Sequence, residues 1–171
     1  MGTVNLFRSY NMKGLSILLG CILAGATSLS FAAEPSFKVF KVTEVFAGPN
    51  HAPVPYENSN QRMDEARAQA LAGKVNFAGH YVLHRMGCGG STMCVEVLDA
   101  QTGEIATGLP NAYDGNALAL SYRPDSNLII VYGITVDTEE DLKGKQLKNR
   151  YRTRYYEFVN NEFRLLKITD A

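Results

Sequence analysis

Two cysteines, Cys88 and Cys94, stand six positions apart with Gly89-Gly90-Ser91-Thr92-Met93 between them and strand-forming residues on either side. No other feature constrains the fold as much. Joined as a disulfide, they require two chain segments to face each other with Cα atoms about 5.5 Å apart, which is the geometry of a tight antiparallel hairpin. A loop this small contributes about 2.4 kcal/mol in the chain-entropy model, enough to stabilise a hairpin without deciding the stability of a whole domain.

Whether the two cysteines pair depends on the compartment, and the first 33 residues read as an export signal. A basic start (Arg8, Lys13) with no acid before Glu34 is followed by an apolar run from Leu15 to Ala26 and by the small-residue end Ser30-Phe31-Ala32-Ala33. That order is an n-region, an h-region and a cleavage site. A cut after Ala32 makes residues 1–32 a signal peptide and leaves residues 33–171 as the folded part. A retained anchor needs about 20 apolar residues, and this run is interrupted by Gly20, Gly25, Thr27 and Ser28. Lipoprotein processing at Leu18-Leu19-Gly20-Cys21 is the alternative, although the stretch between Lys13 and Cys21 is short for it. Export supplies an oxidising environment, in which Cys88–Cys94 is the expected bond.

Loss of Arg8 and Lys13 takes Lys plus Arg from 17 to 15 against 17 acids, a net charge near −2. That balance argues against a dedicated nucleic-acid binder. The remaining chain has the size of one domain and can bury its own core. It contains no internal repeat and no low-complexity tract.

Strand chemistry dominates the rest of the chain. Phe37 to Phe46 alternates and predicts a first strand, followed by a Pro-rich loop from Gly48 to Pro55. Gln61 to Ala72 predicts a helix capped by Ser59 or Asn60, with an apolar stripe of Met63, Ala66, Ala70 and Leu71 and a terminating Gly73. Phe77 to Met86 and Cys94 to Leu98 predict the cysteine hairpin, and Asp99 to Gly103 a glycine-containing turn. Leu118 to Arg123 with Leu128 to Val136, and Tyr151 to Val159 with Glu162 to Ile168, predict two further hairpins, the last turning at Asn160-Asn161. Thr138-Glu139-Glu140-Asp141 predicts the start of a short helix broken at Gly144. Together these give an α+β, predominantly β fold: a single antiparallel sheet of about six to eight strands in consecutive hairpins, with one or two short helices.

Three chemistries compete for the cysteine region. As a nucleophile, Cys88 would need a histidine, and His80 lies about 26 Å away along a straight strand, while a closed disulfide leaves no thiolate. As a copper site, His80, His84, Met86 and Cys88 share one strand face, but two histidines about 13 Å apart cannot both bind one ion without a bulge. As a phosphate loop, the glycine cluster lacks the Gly-Lys-Ser/Thr end and runs into a strand. The disulfide reading stands ahead of all three, and neither a metal nor a cofactor is expected. A second anomaly is the basic stretch in which Arg150, Arg152 and Arg154 alternate among tyrosines. On one strand face they would grip an anionic partner; as a charged edge strand they would only guard against edge pairing.

Asn76-Phe77-Ala78-Gly79-His80-Tyr81, followed by Gly87-Cys88-Gly89, Cys94 and Asp99-Ala100-Gln101-Thr102-Gly103, resembles a group of small exported bacterial proteins of uncharacterised function. The resemblance covers roughly residues 74 to 110 and implies an envelope or secreted location and a disulfide-closed hairpin. A glycine at position 79 inside a strand predicts a bulge that turns His80 toward the Cys88 loop. The expected binding surface is therefore His80, Tyr81, His84, Gly89, Gly90, Ser91 and Thr92, with Arg150, Arg152 and Arg154 as a second one. The expected function is an exported binding module acting on a protein or another envelope component, of the inhibitor or immunity type. A small Cys/His-dependent envelope enzyme or a copper-binding protein is the alternative.

Overall fold

Alternating apolar residues pair into antiparallel ladders throughout the computed structural model, which describes residues 33–57 and 59–170. The expected signal segment 1–32, with Cys21, lies outside the described residues. The first sheet runs β1 (Tyr81–Gly89), β2 (Thr92–Asp99), β3 (Ile105–Gly108), and a two-residue β4 (Tyr113–Asp114) also pairs with β2. The second has the order β10 (Glu162–Asp170), β9 (Arg152–Val159), β6 (Ser126–Gly133), β5 (Ala119–Arg123). A short ribbon pairs β7 (Glu139–Glu140) with β8 (Gln146–Leu147). No helix among the described residues is long and apolar enough to cross a membrane.

The expectation of one continuous sheet is thus corrected to two four-stranded sheets and a ribbon. The reason is burial. Leu83, Val95 and Val97 of the first sheet share one buried cluster with Ile129, Val131, Tyr156 and Phe158 of the second. Phe77 joins the two sheets, its ring 5.4 Å from that of Phe158 and 6.4 Å from that of Tyr122. A single sheet of eight strands would expose two apolar faces that one 11-residue helix cannot cover, whereas two sheets cover each other. The helix α1 (Gln61–Leu71) packs on the remaining face of the first sheet, where Leu71 meets Val82, Leu98 and Ala100.

Local signals are realised closely. Asn60 caps α1, its side chain accepting from Met63 N at 3.0 Å. Gly103 adopts φ +79°, and Asn160 and Asn161 turn the last hairpin at φ 53° and 62°. Two expected elements are corrected. Phe37 to Phe46 forms no strand: it turns at Ser36–Val39, makes one bridge from Lys41 to Ser126, and docks on the β5–β6 turn, where Ser126 Oγ donates to Phe40 O at 2.8 Å. Its alternating residues meet a turn there and not a strand edge. Thr138 to Asp141 forms no helix, because Glu139 is drawn inward to buried arginines and Asp141 Oδ1 accepts from Lys143 N and Lys145 N at 2.8 and 3.0 Å, closing a turn.

Candidate functional site

The cysteine hairpin is closed as expected, with Cys88 and Cys94 bonded and their Cα atoms 5.8 Å apart. The tip is tighter than the sequence implies. β1 runs on to Gly89, and Gly90 and Ser91, at φ 53° and 64°, make the turn back into Thr92. Thr92 Oγ1 donates to Gly89 O at 2.5 Å, and Gly115 N donates to Ser91 O at 3.0 Å. A Cβ on Gly115 would lie 2.7 Å from that oxygen, so the close approach requires glycine. The tip, Gly87 to Ser91, is exposed along its whole length yet held from three sides.

Beside this tip a groove of about 530 Å³ opens between α1 and β1, lined by Arg62, Met63 and Ala66 on the helix and by His84 to Cys88 on the strand. Next to His84 of this lining lies a buried ion pair. Arg67, buried on the inner face of α1, reaches across to β2 and binds Glu96 with two hydrogen bonds, Nε to Oε2 at 3.0 Å and Nη2 to Oε1 at 2.7 Å. Its Nη1 donates to Ser59 Oγ at 2.7 Å, which ties the approach to the helix to the same cation. His84 is the cross-strand partner of Glu96, with Nδ1 3.8 Å from Oε2. Burial favours the neutral acid, but the His84 ring and Arg67 outweigh it and hold the Glu96 carboxyl down at about 2. Since His84 stands beyond hydrogen-bond range and its Nδ1 has no partner, the two short bonds from Arg67 carry most of that effect.

The remaining expected site residues are dispersed. Gly79 makes no bulge within a strand. With Ala78 at φ 43° and Gly79 at φ 88° it forms a tight turn before β1, pairing Phe77 with Tyr81. His80 is thereby placed at the opposite end of the hairpin from Cys88, its Nε2 3.7 Å from Asp99 Oδ2 and its ring 4.0 Å from that of Tyr81. Tyr81 donates its hydroxyl to Asn161 Oδ1 at 2.8 Å, on the last hairpin. His80 and Tyr81 therefore share no surface with Gly89 to Thr92, and His80 and His84 face different carboxylates.

The arginine strand is corrected outright. β9 lies between β6 and β10 rather than at an edge, and Arg152 and Arg154 are buried. Both guanidiniums turn onto buried Glu139. Arg154 Nη2 donates to Oε2 at 2.7 Å and its Nη1 to Gly133 O at 3.0 Å, while Arg152 Nε donates to Asp170 Oδ1 at 2.6 Å. Only Arg150 is left at the surface, paired with Asp170 at 3.0 Å. Arg152 and Arg154 are internal structure, and only Arg150 is exposed, so the three do not form one cationic surface.

Sequence reasoning missed Arg67, Glu96, Arg62 and Arg85. A signal for the first pair was present: Arg67 interrupts the helical stripe between Met63 and Leu71, and Glu96 alternates with Cys94 and Leu98 on one strand face. A charge on each of two buried faces implies a pair. Chemically, His84 is not hydrogen-bonded to the Glu96 carboxylate, and no hydroxyl, amine or free thiol lines the groove to serve as nucleophile. Comparison with protein-family models, with curated proteins and with solved structures returned no match.

Proposed function

We propose that the protein is an exported binding module that engages a partner protein with the Gly87–Thr92 tip and the groove beside it, in the manner of an inhibitor or immunity protein. The observation that carries this reading is the pairing of an exposed, disulfide-held tip with an open groove that has the Arg62 cation on its helix side and no acidic residue in its lining. A tip already ordered before contact loses little conformational freedom on binding, which favours affinity. The absence of a nucleophile from the groove lining favours binding over catalysis.

The test is photo-crosslinking in the intact envelope with the reactive residue placed at Ser91, and at Thr102 on the opposite end of the hairpin as control. A single protein joined from Ser91 and not from Thr102, and lost when Gly90, Ser91 and Thr92 are replaced together, is the expected result. Equal crosslinking from both positions, or a partner retained by the replaced tip, rejects the reading.

A further inference from the structure

β1 is the outermost strand of its sheet, and its free edge is closed along only half its length. At its start, Tyr81 N donates to Phe77 O at 3.0 Å, and Tyr81 O accepts from Asn76 N and Phe77 N at 3.1 and 3.0 Å. Two residues on, the Asn76 side chain takes both main-chain groups of Leu83, accepting from its N–H at 2.7 Å and donating to its carbonyl at 3.3 Å. One asparagine therefore imitates a paired strand. An antiparallel strand turns its main-chain groups to the same side at every second residue, so Arg85 and Gly87 present the next N–H and C=O groups to that edge. No described residue bonds those four groups.

They open onto the groove, which both residues line. Arg85 lines it even though its guanidinium turns to the other face of the sheet, where Nη2 lies 3.5 Å from Leu118 O. Its main chain is what faces the groove. The facing wall is α1, with small Ala66 and flexible Met63 leaving space for a side chain between helix and strand, and Arg62 at the rim. No acidic side chain lines the groove.

We propose that this edge takes up an extended segment of a partner protein as an added strand, bonded main chain to main chain at Arg85 and Gly87, with a partner carboxylate opposite Arg62. The inference rests on the binding reading above and names the chemistry of the partner. Strand addition draws its affinity from unpaired edge groups and its selectivity from pockets under alternate side chains, and both are present here. The register shift between Gly87 and Gly89 ends the pairing, so the added strand is short, about five residues at 3.3 Å each. A second copy of this chain is disfavoured as the occupant, because self-pairing through these four groups would set Arg85 opposite Gly87 and bring two like-charged Arg62 side chains to the same face of the seam with no carboxylate for either.

The experiment is selection of a phage-displayed library of random heptapeptides on the purified, oxidised protein. Synthetic copies of the selected peptides are then measured against variants, with amide hydrogen exchange read by NMR. Gly87→Pro deletes one edge donor at a position where an added Cβ meets nothing within 4 Å. The expected result is enrichment of acidic peptides that protect the Arg85 and Gly87 amides. Their affinity falls about tenfold or more in Gly87→Pro and in Arg62→Glu. Peptides N-methylated at alternate residues should lose binding to the unaltered protein in one of the two registers, which decides the matter even if Gly87→Pro folds poorly. No enrichment, binding indifferent to both methylation registers, or Arg85 and Gly87 amides already protected in a dimer overturns the proposal. If a partner is still crosslinked from Ser91 in that event, strand addition falls and the binding module stands. If crosslinking also fails, both fall.

Discussion

Replacing Arg67 by alanine should destabilise the protein by about 3 kcal/mol at neutral pH, and the loss should shrink as the pH falls. Two routes lead to this figure. Removing one partner of a buried, hydrogen-bonded pair costs about 3–5 kcal/mol, and Glu96, at 16% side-chain exposure, belongs near the lower end. Independently, the Glu96 carboxyl is lowered from 4.5 to about 2 in the folded state, and at 1.36 kcal/mol per unit that corresponds to about 3 kcal/mol. A depressed carboxylate contributes stability that is complete above its unfolded value, here about 4.5, and is lost as the pH drops toward the folded value near 2. The difference between wild type and Arg67→Ala should therefore be about 3 kcal/mol at pH 7 and about 1 kcal/mol at pH 3. Other carboxylates titrate in both proteins and cancel in the difference. The chain has no tryptophan, so urea unfolding followed by far-ultraviolet circular dichroism is the assay. With m of about 1.5 kcal/mol per M, the midpoint should fall by about 2 M at pH 7. A difference below about 1 kcal/mol at pH 7, or one that does not change down to pH 3, would refute the assignment of Arg67 as the group that holds Glu96 ionised.

Reduction of the Cys88–Cys94 bond, or replacement of both cysteines by serine, should cost about 2 kcal/mol in urea unfolding and leave the protein folded, because the closed loop is short. Arg154→Met leaves buried Glu139 with only the longer contact to Arg152 and should lower stability by about 3 kcal/mol. Arg150→Ala, just before β9 and exposed, should change thermal unfolding by less than about 0.5 kcal/mol. Gly103→Ala should be the most damaging glycine change, since the new Cβ would lie 1.9 Å from Ala52 O at φ +79°. About 3 kcal/mol is expected, against less than about 1 kcal/mol for Gly87→Ala, both read by thermal melts.

What could be read from the chain alone is what depends on near neighbours. The capped helix Gln61–Leu71, the turns at Gly103 and Asn160–Asn161, and the Cys88–Cys94 hairpin each follow from residues within a few positions of one another. Propensity, capping and left-handed turn chemistry act over that range. Tertiary structure alone decided that the hairpins stack as two sheets, because only burial of both apolar faces at once distinguishes that from one sheet. It also reversed the meaning of single residues. Arg152 and Arg154 read as a cationic surface until Glu139, thirteen and fifteen positions earlier, turns out to meet them in the interior. Arg67 and Glu96, twenty-nine positions apart, meet between helix and sheet for the same reason. A buried charge is tolerated only where the fold delivers its partner, and the distance along the chain carries no record of that delivery.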